Sequence, residues 1–553
     1  MKTVIIGGVA GGAGTAARLR RNDEFAEIVL LEKDAYISYA NCGLPYYIGD
    51  VIVDEDELLL QTPESFYNRF RVDVRVMNQV VSVNSAEKYV TVLNRTTGET
   101  YQESYDHLVL SPGAVPVKPS IPGVAQEHVF TLRNVQDTYG LKQFLRAHQP
   151  QTAVVVGAGF IGLEMAENLK RLGMQVTLVE AQNHVLAALD EDMAYDVHNH
   201  IREQGIHLVL EDGVAEIGTE SVLLTSGKRI DAQLVLLSIG VRPATAFLKD
   251  SGIQLGAKGE IIVNNHLETS VSDIYALGDA AVVRDLTFDE PALVPLASIA
   301  NKQARIVADR ICGKPAVSQP VQGTAIVKVF DLTVGLTGAN ERSLCAHKVS
   351  YEKTFTFSAS HAGYYPGGEF MFIKLLFQKT DGLLLGAQIV GGAGVDKRID
   401  VLAAMIRQHA TVYDLTELEL AYAPPFSSAK DPVNMAGFVA ENVLSGQMKK
   451  FDLEDIKGIQ NGILLDTRTA EEFANGSIEH AQNIPLDELR ERLDELNPQV
   501  PIYIFCQIGL RGYIAYRILK QRGFQVANLT GGYYHYQAYR KDQLARNASQ
   551  NEN

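Results

Sequence analysis

The sequence predicts a multidomain α/β chain, and three observations carry that reading. Its 553 residues are too many for one hydrophobic core. One pattern occurs twice, at Thr3–Gly7 and at Ala153–Gly157: an apolar strand runs into a glycine-rich turn and then a helix. Each copy then closes on a second strand ending in an acid, Glu32 and Glu180, which lie 25 and 23 positions after the first glycine. That layout belongs to a dinucleotide-binding, Rossmann-like fold.

Composition narrows the partners. The net charge of −16, with Lys and Arg dispersed, gives a polyanion little to hold, so no nucleic acid is expected. The four cysteines, Cys42, Cys312, Cys345 and Cys506, contain no C-x-x-C pair, which argues against a disulfide framework or a zinc knuckle and predicts no metal. No apolar signal segment follows Met1-Lys2-Thr3, and apolar runs break well before the ~18 residues that span a bilayer. A cytoplasmic protein without a membrane partner is expected.

In the first loop, Gly7-Gly8-Val9-Ala10-Gly11-Gly12, glycines at the first, fifth and sixth positions allow the tight turn and the approach of a pyrophosphate to the helix N-terminus, while Val9 takes the third. Glu32 is placed to hold ribose hydroxyls. The second loop carries the full pattern at Gly157, Gly159 and Gly162. Glu180 would repel a 2′-phosphate, and Ala181-Gln182-Asn183 supplies no arginine to offset it, so NADH is expected over NADPH. Alternating strands over Thr324–Val390 and a helix over Val395–His409 read as an α+β dimerisation domain, hence a homodimer. Gly446–Lys450 is a polar break before a new strand–helix pattern, and Asn547–Asn553 reads as a frayed end. The domain assignment is 1–112 with 245–320, 113–244, 321–446 and 452–545. Cys42 falls at the start of a helix, where the backbone favours the reactive thiolate.

Two further segments, Tyr105–Ala114 and Asp273–Ala280, resemble those of the flavoprotein disulfide reductases with two dinucleotide folds, and the resemblance extends to about residue 445. It implies FAD in the first fold, held by Gly7, Ala10, Gly11, Gly12, Glu32, Lys33, Ser111, Pro112, Gly113 and Ala297, with Asp279 on the ribityl chain. It implies NADH in the second, with Phe160 over the nicotinamide pocket, Ile161 among the NAD-binding residues, and the Gly240–Pro243 loop next to the cofactor. Glutathione-type members carry a second cysteine where this chain has Tyr47, so Cys42 lacks a local partner and would cycle as a sulfenic acid or as a mixed disulfide. The peroxidase branch has a histidine where Ala10 stands. The strings Asn41–Tyr46 and Tyr422–Asn434 are instead similar to the coenzyme A disulfide reductase branch.

That branch implies coenzyme A disulfide-bonded to Cys42, and two tyrosines supplied across the dimer, matching Tyr364 and Tyr422. A phenol with a pKa of ~10 can protonate a departing thiolate whose thiol titrates at ~8.5. Coenzyme A brings three phosphates, and Arg18 and Arg21, one turn apart on the helix after the first glycine loop, are spaced to share them; the resemblance adds Ser38, Asn41 and Lys430 as contacts, with Phe70 standing where the staphylococcal-type pattern has a basic residue. The tail resembles a rhodanese domain through Leu464–Arg468, Glu471–Phe473, Gly476–Pro485 and the loop Cys506-Gln-Ile-Gly-Leu-Arg511. Four residues between Cys506 and Arg511, against five in related phosphatases, favour sulfur over phosphate, with loop N–H groups and Arg511 stabilising an anionic sulfur.

The expected activity is reduction by NADH, through FAD and Cys42, of a coenzyme A persulfide, a polysulfide or coenzyme A disulfide. A separable rhodanese domain would handle sulfane sulfur at Cys506. The alternatives are an NADH oxidase or peroxidase working through Cys42 sulfenic acid, and a sulfurtransferase whose flavoprotein part senses redox state.

Overall fold

The computed structural model describes residues 1–551, with side chains through Ala548. The chain divides into two compact units, Met1–Ala181 with Asp212–Gly323, and Gln182–Glu211 with the chain from Thr324 onward.

In the first unit, the apolar runs Val4-Ile5-Ile6 and Ile28–Leu31 are buried, as central parallel strands require. They form a parallel sheet in the order Ile274–Ala276, His107–Leu110, Lys2–Ile6, Glu27–Leu31, Asp73–Arg75, with Val4 opposite both Val29 and Leu108. Helix Ala10–Asn22 turns Ala13, Ala16, Ala17 and Leu19 into this core, and its small residues let helix Ala297–Ile311 come close: a Cβ on Gly14 would lie 3.1 Å from that of Ala304. The second repeat builds its own parallel sheet, with Gln175–Val179, Thr152–Val156, Leu234–Leu237 and Val129–Phe130 as neighbours in that order.

In the second unit, the α+β segment is a five-stranded antiparallel sheet ordered Ala325–Val329, Leu332–Gly338, Leu384–Gly391, Phe370–Gln378, Tyr351–Ala359, with helix Val395–Arg407 packed on it. The C-terminal part is a five-stranded parallel sheet ordered Lys450–Phe451, Val526–Leu529, Ile502–Phe505, Ile463–Asp466, Gln482–Asn483.

Four features of the structure go beyond or against the sequence reading. The polar break feeds straight into the C-terminal part: Met448 is buried in its core, and Lys450–Phe451 is an edge strand of its sheet. That sheet is not loosely tethered. Phe355 N–H donates to Thr530 Oγ1 at 3.0 Å, Lys353 Nζ reaches Glu454 at 3.0 Å, and the last helix, Gly532–Asn551, packs on helix Glu191–Glu203. There Asp542, fully buried, meets His198 Nδ1 at 3.1 Å and Arg202 at 2.7 Å. The segment Gln182–Glu211, which falls inside 113–244, thus packs in the second unit. Lys374, with no exposed surface, is ringed by Asp190 at 2.9 Å, Asp192 at 2.6 Å and Glu341 at 2.5 Å, and Lys353 adds a second cation to Asp192 and Glu341 at 3.4 and 3.2 Å, so two lysines face three carboxylates. The backbone stays helical through Asn551 where a frayed end was expected; residues 552–553 lie outside the described residues.

Candidate active sites

The glycine loops show what each glycine is for. Gly7 and Gly157 have φ of +97° and +96°, and a Cβ on Gly12 or Gly162 would lie 1.8 or 1.9 Å from the carbonyl oxygen of the first glycine, so these positions close the turn against the helix. Gly159 differs: a Cβ there would meet nothing within 4 Å, so the packing of the protein does not require glycine and a close-lying ligand would. Each terminal acid is anchored to its own loop. Glu32 accepts N–H groups from Gly8 at 2.8 Å and Asp34 at 3.0 Å, and Glu180 accepts Ala158 N–H at 2.7 Å.

A cavity of about 660 Å³ brings together Gly7, Glu32, Lys33 and Pro112 with Arg242 and Lys258; sequence reasoning did not single out Lys258. Ser111 ends strand His107–Leu110 with its N–H on Ile6 O at 2.9 Å, Gly113 turns with φ +67°, and Ala297 begins its helix. Asp279, on the turn Gly278–Ala280, has no hydrogen-bond partner among the described residues, and desolvation raises its carboxyl pKa. A carboxylate in that condition suits a ligand hydroxyl, so the residues present fit FAD in the first fold.

Cys42 lies on the turn Asn41–Gly43, followed by the short helix Leu44–Ile48. Lys142 Nζ anchors the far end of that helix on Tyr47 O at 2.8 Å and Ile48 O at 3.1 Å. The predicted thiolate bias is reversed. Solvent reaches the thiol, yet desolvation by the protein packed about it, then Glu164 and Asp279, push its pKa up. Glu164, on helix Phe160–Arg171, accepts a hydrogen bond from Tyr46 Oη at 3.1 Å. Neither residue was anticipated in this role, because nothing in the sequence links position 164 to position 42. Phe160 opens the same helix, and Ile161 is exposed.

Among the implied coenzyme A contacts, Arg18 is held by Asp309 in a two-pronged pair at 2.9 and 3.0 Å, so it does not stand ready to share a phosphate with the exposed Arg21. The backbone of Phe70 accepts from Arg20 Nε at 2.8 Å, Ser38 takes a left-handed φ of +45°, and Asn41 is exposed. In the second unit Tyr364 and Tyr422 share a hydrogen bond at 2.8 Å between exposed hydroxyls, which raises the Tyr364 pKa. Arg398, missed in the sequence, stitches their two loops together: it donates to Ser360 O at 2.9 Å, Ser427 Oγ at 3.1 Å and Asp431 Oδ2 at 3.0 Å, and Ala362 N–H donates to Ser427 O at 2.9 Å. Lys430 is exposed at the end of the second loop.

Cys506 is buried, and Gly509 N–H donates to its Sγ at 3.1 Å, as the sulfur loop requires. Arg511 departs from expectation, since both prongs of its guanidinium go to Glu472 at 2.6 and 2.7 Å rather than to sulfur. That pairing holds the Glu472 carboxyl down at about 2.

Two glycine-loop folds with an isolated thiol, followed by an antiparallel α+β sheet, define a flavin- and nicotinamide-dependent reductase acting on sulfur. Accordingly, residues 1–304 match the pyridine nucleotide-disulphide oxidoreductase family, residues 324–432 its dimerisation domain and residues 452–539 a rhodanese-like domain, and the chain belongs to the pyridine nucleotide-disulphide oxidoreductase family. More particularly, a coenzyme A disulfide reductase of Staphylococcus aureus (strain N315) is 38% identical over 441 residues, 80% of this chain and 100% of that protein. The structure of reduced Bacillus anthracis CoADR-RHD superposes with a TM-score of 0.96 at 47% identity, covering 97% of this chain and 98% of that one. A NAD-dependent persulfide reductase from A. fulgidus gives 0.92 at 36% identity, covering 97% and 100%. A water-forming NADH oxidase from Lactobacillus brevis, at 24% identity and a TM-score of 0.77 over 81% of this chain and 99% of that one, shares the fold. Among the described residues no helix is long and apolar enough to cross a membrane.

Proposed function

We propose that this chain is an NADH-oxidising, FAD-dependent homodimer that reduces coenzyme A persulfide or polysulfide, or coenzyme A disulfide, through Cys42, while its rhodanese domain carries sulfane sulfur on Cys506. The observation that carries the reading is the isolation of Cys42: it is a free, solvent-reached thiol beside the dinucleotide folds, with Tyr47 where a resolving cysteine would stand. Bound FAD supplies two-electron transfer between NADH and sulfur.

The residues of the chain supply the rest. Cys42 attacks the sulfur–sulfur bond of the substrate, one thiol leaves, and a mixed disulfide remains to be reduced. The hydrogen-bonded phenols of Tyr364 and Tyr422 hold a proton for the departing thiolate. Overall, NADH, a proton and coenzyme A persulfide give NAD⁺, coenzyme A and hydrogen sulfide, or coenzyme A disulfide gives two coenzyme A thiols. Persulfide is favoured over disulfide by the rhodanese-like domain at residues 452–539. Glu180, fixed on its own loop, supports preference for NADH, and the protein is expected to work in the cytoplasm.

Anaerobic NADH turnover tests this reading. Oxidation with coenzyme A persulfide or disulfide supports it, turnover with oxygen alone would make the chain an oxidase, and flavin reduction without turnover would make it a sensor. Replacing Glu180 by Ala and Ala181 by Arg should raise kcat/KM for NADPH, and no rise would remove Glu180 as the discriminator.

A further inference from the structure

Two guanidiniums border the Cys506 loop, and a carboxylate neutralises each. Arg468, almost fully buried, donates to Asp466 Oδ2 and Gly476 O, both at 2.7 Å. Arg511 forms its two-pronged pair with Glu472. Glu472 is itself fixed: its N–H donates to Thr469 Oγ1 at 3.2 Å and its Oε2 accepts Thr469 N–H at 2.9 Å, the reciprocal cap of helix Ala470–Ala474. The other loop side chains, Gln507, Ile508 and Leu510, carry no charge, and Leu510 is 58% exposed. A sulfur donor arriving at Cys506 therefore meets the Gly509 N–H and uncharged side chains, with the Glu472 carboxylate beside the cation that would otherwise bind an anion. A dianion gains little from a guanidinium already paired, and the carboxylate repels it.

We propose that the Glu472–Arg511 pair makes the Cys506 loop selective for organic persulfides, whose sulfane end carries at most one charge, over dianionic donors such as thiosulfate. This rests on the reading of Cys506 as the sulfane-sulfur carrier. The Cys506 thiolate attacks the terminal sulfur of R–S–SH, a Cys506–sulfur bond forms, the S–S bond of the donor breaks, and its thiolate leaves with the proton. The products are the Cys506 persulfide anion and RSH, with no change in electron count. Thiosulfate would instead have to expel a sulfite dianion beside Glu472.

The test uses the full chain, with cyanide as sulfur acceptor and cysteine persulfide or thiosulfate as donor. The wild type should favour cysteine persulfide in kcat/KM. Glu472→Gln, which frees Arg511, should raise the thiosulfate-to-persulfide ratio about tenfold, and adding Arg511→Met should remove the gain. A second measurement needs no variant: added salt should raise kcat/KM of the wild type for thiosulfate relative to the persulfide by screening the repulsion. A wild type that prefers thiosulfate, a ratio unmoved by Glu472→Gln, or a ratio insensitive to salt would each overturn the selectivity. Undiminished transfer by Cys506→Ala from both donors would instead remove Cys506 as the carrier.

Discussion

Cys506 is enclosed in a loop whose Gly509 N–H donates to its sulfur at 3.1 Å, whereas Cys42 sits on a solvent-reached turn where desolvation, Glu164 and Asp279 push its thiol pKa upward. One sulfur is received by a backbone donor that the fold fixes in place. The other is surrounded by groups that oppose its ionisation. The two thiols therefore differ in what the fold gives them: a backbone donor at Cys506, and at Cys42 surroundings that hold the proton on the sulfur.

The comparison breaks first at Cys42. Cys42→Ser should leave FAD bound and reducible by NADH while turnover with coenzyme A persulfide and disulfide falls on the order of a thousandfold or more, read by stopped-flow and steady-state kinetics. Turnover retained at more than a few per cent would sink the assignment. Cys506→Ala should have a narrower effect: it should abolish transfer from a sulfane donor yet leave reduction of preformed coenzyme A persulfide intact. Equal damage to both reactions would place Cys506 in the reductive cycle itself.

The domain carrying Cys506 also depends on its docking. His198 and His535 are pushed down to about 4, chiefly by burial, so the fold favours their neutral forms. A depressed histidine pKa contributes stability that is present above the unfolded value of 6.5 and lost as pH falls towards 4, on the order of 3 kcal/mol for each. The melting temperature of the full chain should therefore drop steeply across that range; a flat profile would contradict the burial. The smallest effect is expected at Glu164. Glu164→Gln removes a charge that raises the Cys42 pKa, so alkylation of Cys42 by iodoacetamide at neutral pH should become several-fold faster. An unchanged or slower rate would remove the Glu164 charge as a cause and leave desolvation and Asp279.

Legibility in the sequence followed distance along the chain. The glycine loops were readable because each glycine acts within a few positions of the turn it makes, as the Gly7–Gly12 and Gly157–Gly162 contacts show. The pair Tyr364 and Tyr422 was reached through resemblance, and the structure joins them by a hydrogen bond across 58 positions. Glu164 beside Cys42, Asp309 on Arg18 and Glu472 on Arg511 were not readable, because each is a charge whose partner is chosen by packing and by no local period. At Gly446–Lys450 the polar string marked the break but gave no sign of the edge strand Lys450–Phe451 that it feeds.

The docking of the last helix also bears on how the chain is made. His198 and Asp542 meet across 344 residues. At a synthesis rate of ~5–20 residues per second, helix Glu191–Glu203 waits roughly 20–70 s after it is made for the segment that covers it. During that interval His198, Asn199 and Arg202 lack the partners that the last helix supplies, Asp542 for the first and third and Ala538 O for the second. A chain terminated anywhere before Asp542 would leave His198 and Arg202 without the carboxylate that both meet in the finished fold.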